Sequence, residues 1–123
     1  TLTFAGAKTP LFILPPGAED LDVIKGDKKG VGYIDTPMDY AWENQTLSLK
    51  PGSRVYITTD GIIDQIGGPK QIAFGKKRLK KVIMDAAKQP MSEQKDHIMQ
   101  AFYKYQGDNR RRDDVSIFGF RID

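Results

Sequence analysis

The chain has 123 residues, enough for one hydrophobic core, and its 19 basic against 16 acidic side chains leave a net charge of only +3. That balance is too mild to argue for nucleic acid. There is no cysteine, which excludes disulfides and thiolate metal sites, so any metal must be held by oxygen or by the lone His97. The longest apolar runs are strand-sized, so no transmembrane helix and no signal peptide are expected, and a soluble, cytoplasmic setting fits. Thr1-Leu2-Thr3-Phe4 already reads as strand and lacks an initiator Met, as expected for a piece of a longer polypeptide.

In chain order, Leu2 to Ala5 and Leu11 to Leu14 read as two strands forming a hairpin through Gly6-Ala7-Lys8-Thr9-Pro10. The small residues Ala5, Gly6 and Ala7 would let another backbone or a ligand approach closely, and a crowded turn is the plainer reading. Pro15-Pro16-Gly17 breaks the strand, and Leu21 to Lys25 reads as a third. Gly26-Asp27-Lys28-Lys29-Gly30-Val31-Gly32 is glycine-rich, but it lacks the P-loop ending and any strand-to-helix context, which argues against a phosphate cradle. Beyond a polar linker at Asp35-Thr36-Pro37, Gln45 to Leu49 alternates like a half-exposed strand, with Trp42 expected to pack on its sheet. The Pro51-Gly52 turn suggests that this strand pairs antiparallel with the next one.

That next run, Arg54-Val55-Tyr56-Ile57-Thr58-Thr59, ends abruptly in Asp60-Gly61. It reads as a buried strand delivering a carboxylate to its tip, with Gly61 letting the chain turn. Packing does not ask for an ionised Asp there, and burying one unpaired is costly. Asp64 is expected to cap a short helical turn or to support Asp60 from behind. After a loop at Gly67-Gly68-Pro69, a helix from Phe74 carries Leu79, Val82, Ile83, Ala86 and Ala87 on one face. Lys76, Lys77, Arg78, Lys80 and Lys81 crowd its start, as a solvated face or as a contact for an acidic partner.

Pro90 stops this helix and Ser92 is expected to cap the next, with Glu93 and Asp96 in its first turn. Ile98, Met99, Phe102 and Tyr105 or Tyr103 give that helix its apolar stripe, and His97 reads as an ordinary helical residue. Gly107 to Arg112 forms a polar loop leading to Asp113-Asp114, which opens a final strand through Ile122.

Two carboxylates at the ends of neighbouring strands, with no Cys and no paired His, suit a hard cation such as Mg²⁺ or Mn²⁺. A water acidified by such a cation can attack phosphorus while the cation neutralises phosphoryl oxygens. Turn chemistry alone also explains Asp-Gly and Asp-Asp, so both readings stand on composition and spacing.

Five motifs follow one another in a characteristic order: Phe4-Ala5-Gly6-Ala7 before Pro10-Leu11, Leu49-Lys50-Pro51-Gly52-Ser53-Arg54-Val55, Thr59-Asp60-Gly61, Phe74-Gly75-Lys76-Lys77-Arg78-Leu79 and Asp113-Asp114-Val115-Ser116. Together they resemble the C-terminal part of the PPM/PP2C-type phosphatases, in the bacterial sporulation stage II E-like branch, over essentially the whole chain. The resemblance implies an α+β fold, part of an α-β-β-α sandwich with mostly antiparallel sheets flanked by helices. It implies a metal-dependent protein serine/threonine phosphatase in which Asp60 and Asp113 hold metal and act catalytically through metal-bound water. Gly61, Asp64 and Asp114 would be supporting residues. It implies Mn²⁺ or Mg²⁺, two or more ions, with further ligands from an N-terminal half that no part of this chain matches.

On this reading residues 1–123 are the C-terminal part of a single domain and are inactive alone. Members of the branch commonly act on a phosphorylated anti-sigma-factor antagonist in partner-switching pathways, can dimerise, and often sit behind sensor or membrane-anchored modules. Arg110, Arg111 and Arg112 would attract the phosphorylated partner, or form a solvated loop. The alternative is a catalytically inactive module that binds a regulatory phosphoprotein. Nucleic acid is not expected as a partner, because Lys76 to Lys81 lacks interleaved aromatics.

Overall fold

A computed structural model describes all 123 residues. The chain divides into two compact units, one formed by residues 1–57 with 120–123 and the other by residues 58–119.

The first unit is built on strands. In β2 (Leu11–Leu14) every residue is buried, as its unbroken apolar run requires. It lies between β3 (Asp22–Ile24) and β5 (Arg54–Thr58), antiparallel to both, in a four-stranded sheet of order β3-β2-β5-β8, where β8 is Ile117–Arg121. Leu11, Ile13 and Val55 form the buried centre, with Leu2, Phe4, Leu47 and Phe120 among the apolar residues packed on it. Ile122 and the Gly52-Ser53 turn exchange backbone bonds of 2.7 and 2.8 Å, which fasten the end of the chain beside the start of β5.

Two expected pairings are corrected. Strand β1 (Leu2–Phe4) does not form a hairpin with β2, and β4 (Gln45–Leu47) does not pair with β5. The two pair with each other, antiparallel, with Thr3 opposite Thr46. The reason lies in the small residues after β1. Gly6 and Gly26 bring their backbones so close that a Cβ on either would overlap the Thr9 carbonyl. Ala7 and Asp27 form a parallel bridge there, with Asp27 N–H donating to Gly6 O at 2.7 Å and Lys8 N–H to Asp27 O at 2.9 Å. The chain therefore crosses to the glycine-rich loop instead of folding back on β2.

That loop is held by its own contacts. Trp42 does not pack on the sheet as expected; its Nε1–H donates to the Lys29 carbonyl at 2.8 Å and its ring meets Tyr40 edge-on. Thr36 Oγ1 donates to Gly30 O at 2.8 Å, and Lys29 pairs with Asp35 at 3.3 Å. The hydrogen bond and charge of Lys29 hold the Asp35 carboxyl below its ordinary pKa.

The second unit is mainly helical. It contains α1 (Asp60–Asp64), a short hairpin of β6 (Ile66–Gly67) and β7 (Ile72–Ala73), α2 (Gly75–Ala86) and α3 (Met91–Gln106). The expected face of α2 is the observed one: Leu79, Ile83 and Ala86 are fully buried. On α3 the stripe is Gln94, Ile98 and Phe102, and Tyr105 rather than Tyr103 turns inward, where its ring meets Phe74 at 5.0 Å. Ser92 does not cap α3. The helix already begins at Met91, with Pro90 at the cap position, and Ser92 is exposed inside its first turn. The residues read as a loop at Gly67-Gly68-Pro69 are a hairpin turn. Gly67 has no room for a Cβ beside the Tyr105 carbonyl, which accepts the Gly68 N–H at 2.9 Å.

Candidate functional site

The site forms where β5 runs out. Val55, Tyr56 and Thr58 are buried, and their β-branched and aromatic side chains suit a pleated, enclosed strand. Thr59 stands at the cap position of α1 in extended backbone, and Asp60 is the helix's first residue, exposed to solvent. The Asp60 carboxylate therefore sits at a helix N-terminus, where the aligned peptide dipoles favour negative charge.

Thr59 fastens this corner to the segment after Asp113. Its N–H donates to Ser116 O at 3.0 Å, its Oγ1 accepts the Ser116 N–H at 2.8 Å, and its Oγ1–H donates to Asp114 O at 3.2 Å. Gly61 completes the contact in a way the sequence reading did not foresee. It is a buried helical residue with no left-handed φ, so it is not there to let the chain turn. It is there because a Cβ would overlap the Asp114 carbonyl oxygen. Asp60 and the Asp113-Asp114 pair thus stand on backbone segments in direct contact.

Asp113 and Asp114 do not open the final strand, since β8 begins only at Ile117. They lie in the approach to it, both exposed, with the Asp114 N–H donating to Asp113 Oδ1 at 2.7 Å. That bond engages one of the two Asp113 carboxylate oxygens. Asp64 does not cap a helix start; it ends α1, one turn beyond Asp60, and is exposed. Thr58 Oγ1, directly upstream, is buried without a hydrogen-bond partner, an atom with capacity for one more contact.

Gln65 escaped sequence reasoning. It is fully buried, and its Nε2 donates to Arg110 O and Ile66 O, each at 3.0 Å, while its Oε1 accepts the Arg112 N–H at 3.2 Å. One side chain therefore clamps the loop immediately before Asp113 to the end of α1. A glutamine following Asp64 between Ile63 and Ile66 carries no local signal of that role. The three arginines are not equivalent either. Arg111 donates to Gln106 Oε1 at 3.0 Å and lies over the Phe102 ring at 5.1 Å, so it is committed to α3. Arg110 and Arg112 are exposed and line a depression with Ile66 and Asn109.

The donor set suits a hard divalent cation: exposed carboxylates, no thiol, and the one histidine exposed on α3. It is a partial set, because no three His, Asp or Glu side chains of this chain converge closely enough to hold an ion. Asp60, Asp113 and Asp114 are its exposed carboxylates on the two adjoining segments.

A profile of the stage II sporulation protein E family matches residues 1–123. The chain belongs to the stage II sporulation protein E family. It is similar to the SiaA-PP2C domain of Pseudomonas aeruginosa, with 35% identity and a TM-score of 0.84, covering 98% of this chain and 46% of that one. It also shares the fold of the PP2C phosphatase domain of the cell fate determinant SpoIIE from Bacillus subtilis. There the TM-score is 0.72 at 19% identity, covering 98% of this chain and 33% of that one. None of the curated proteins matches by sequence. This member of the stage II sporulation protein E family therefore has the mixed α+β, antiparallel architecture of PP2C-type phosphatase domains and spans less than half of these two relatives' length. No helix in it is long and apolar enough to cross a membrane.

Proposed function

We propose that residues 1–123 form the C-terminal part of a metal-dependent protein serine/threonine phosphatase. The observation that carries this reading is the contact of Thr59 and Gly61 with Asp114, which sets Asp60 beside the Asp113-Asp114 pair. In this reading Asp60 and Asp113 hold Mn²⁺ or Mg²⁺, Asp114 and Asp64 support them, and the remaining ligands come from sequence outside these residues. The chemistry such a cation supplies when bound is neutralisation of phosphoryl oxygens and activation of water. The chain's own part is to hold two carboxylates rigidly in place. In this reading metal-activated water, not a Cys or His side chain of these residues, attacks phosphorus, so no covalent phosphoenzyme is invoked.

The substrate class that fits is a phosphoserine or phosphothreonine protein, specifically a phosphorylated anti-sigma-factor antagonist in a bacterial partner-switching pathway. Arg110 and Arg112 are the basic side chains available to it beside Asp113. The test is phosphatase activity and Mn²⁺ affinity of the full-length protein with Asp60→Ala and Asp113→Ala. Both variants are expected to lose turnover and to bind Mn²⁺ more weakly. Activity surviving both changes removes the metal assignment. Phosphoprotein binding that persists with metal chelated, in a full-length protein without turnover, replaces the enzyme by an inactive phosphoprotein-binding module.

A further inference from the structure

Three depressions lie end to end on the second unit. The first, about 460 Å³, runs between α2 and α3 over Phe74, Val82, Ala101 and Tyr105. The second, about 560 Å³, shares Gly68, Pro69, Lys104 and Tyr105 with it and follows the end of α3 to Asn109. The third, about 440 Å³, shares Asn109 and continues over Arg110, Arg111 and Arg112, stopping one residue short of Asp113. The result is a track of adjoining depressions, longer than a small ligand needs, whose last lining residue, Arg112, immediately precedes Asp113.

Its chemistry is one-sided. Along the track stand six basic side chains, Arg78, Lys81, Lys104 and Arg110 to Arg112, against two acidic ones, Asp85 and Asp108. The base of the track is held in place and topped by a guanidinium. Phe74 is buried, Tyr105 donates its OH to Ile72 O at 2.8 Å, and Arg78 lies over the Tyr105 ring at 5.0 Å. The basic residues of α2 also run against its own electrostatics. Its first turn has no acid and carries Lys76, Lys77 and Arg78 where the dipole disfavours cations, an arrangement that helix stability does not select.

We propose that this track docks an extended acidic segment of the phosphoprotein substrate, with the phosphorylated residue directed toward Asp113. The inference rests on the phosphatase reading and adds where the substrate is gripped. Charge complementarity names the occupant, and continuity with the loop before Asp113 names its direction.

The experiment uses the full-length protein with Lys81→Glu and Lys104→Glu combined, and Lys95→Glu, an exposed charge away from the track, as control. The probe is a fluorescent peptide rich in Asp and Glu with one phosphoserine, read by anisotropy and by its dephosphorylation. The reversal should raise peptide KM and Kd by about tenfold or more while p-nitrophenyl phosphate turnover and the melting temperature stay unchanged. Lys95→Glu should change none of these. Unchanged peptide KM and Kd in the double variant overturn the track, as does a single-stranded oligonucleotide that displaces the peptide as well as unlabelled peptide does. A wild-type protein inert toward p-nitrophenyl phosphate whose peptide binding is nonetheless lost in the double variant sinks the phosphatase reading and upholds the docking surface.

Discussion

The carbonyl oxygen of Asp114 occupies the place where residue 61 would carry its Cβ. Glycine at 61 is therefore a condition for bringing the Asp113-Asp114 segment against the start of α1. In an exposed helix, replacing Gly with Ala would stabilise by roughly 0.5–1 kcal/mol. At this position the sign should reverse. Gly61→Ala forces two backbones apart and is expected to cost about 1–3 kcal/mol, as overpacking does. Thermal denaturation checks it, and a raised melting temperature would show that the close approach is absent in solution.

Thr59 joins the same two segments through its hydroxyl, so removing the hydroxyl while keeping the shape isolates that link. Thr59→Val removes the 2.8 Å acceptor of the exposed Ser116 N–H, which water can replace, and should cost about 0.5–1.5 kcal/mol. Thr59→Ser keeps the oxygen and should restore most of the loss. If the link also orients Asp113, Mn²⁺ affinity of the full-length protein should fall by about ten- to a hundredfold in Thr59→Val and recover in Thr59→Ser. Equal affinity in all three proteins would confine Thr59 to a structural role.

The elements legible in the sequence were those whose signal is local. The four apolar residues of β2, the run into Thr58 and the face of α2 around Leu79 and Ile83 each declare themselves by pattern alone. Partners are not local. Nothing within Leu2–Phe4 says that it pairs with Gln45–Leu47, because the Gly6–Gly26 contact that steers it joins residues twenty positions apart. The two-residue strands β6 and β7 are too short to have a period. The acids at 60, 113 and 114 drew attention because charge bordering an apolar run is unusual. The groups that hold them, Thr59 and Gln65, did not, because polar side chains that bond to distant backbone look like any others.

Gln65 offers the most direct measure of how the Asp113 loop is held. Gln65→Leu keeps the volume but leaves the Arg110 carbonyl and the Arg112 N–H without their partner. The expected loss is about 1–3 kcal/mol for a buried group so orphaned. Amide exchange should report it locally, with protection at Arg112 falling more than protection within α3. A uniform fall across the unit would mean that Gln65 merely fills the core.

The Lys29–Asp35 pair gives a pH prediction with a definite sign. The Lys29 hydrogen bond, then its charge, depresses the Asp35 pKa. Any stabilisation is therefore present above the unfolded carboxylate value, about 3.9, and is lost as the pH falls through the lower folded value. The pair is exposed, so global stability should hardly respond. The carboxyl itself should. An NMR titration should place Asp35 below its ordinary value, and Lys29→Ala should return it upward.

The incompleteness of the donor set sets the last expectation. On the proposed reading Asp60 and Asp113 offer two carboxylates, and no three acids or histidines of this chain converge closely enough to hold an ion. Hard divalent cations take about six or more oxygen ligands, and Mg²⁺ keeps several waters when a protein supplies only one or two carboxylates. These 123 residues alone should therefore bind Mn²⁺ weakly, with little heat in calorimetry, whereas the full-length protein should bind it tightly and hydrolyse p-nitrophenyl phosphate. Asp113→Asn in the full-length protein should weaken that binding, because it removes the charge while keeping an oxygen. Tight Mn²⁺ binding by residues 1–123 alone would mean that Asp64 and Asp114 close the shell themselves, and no ligand from elsewhere would be required.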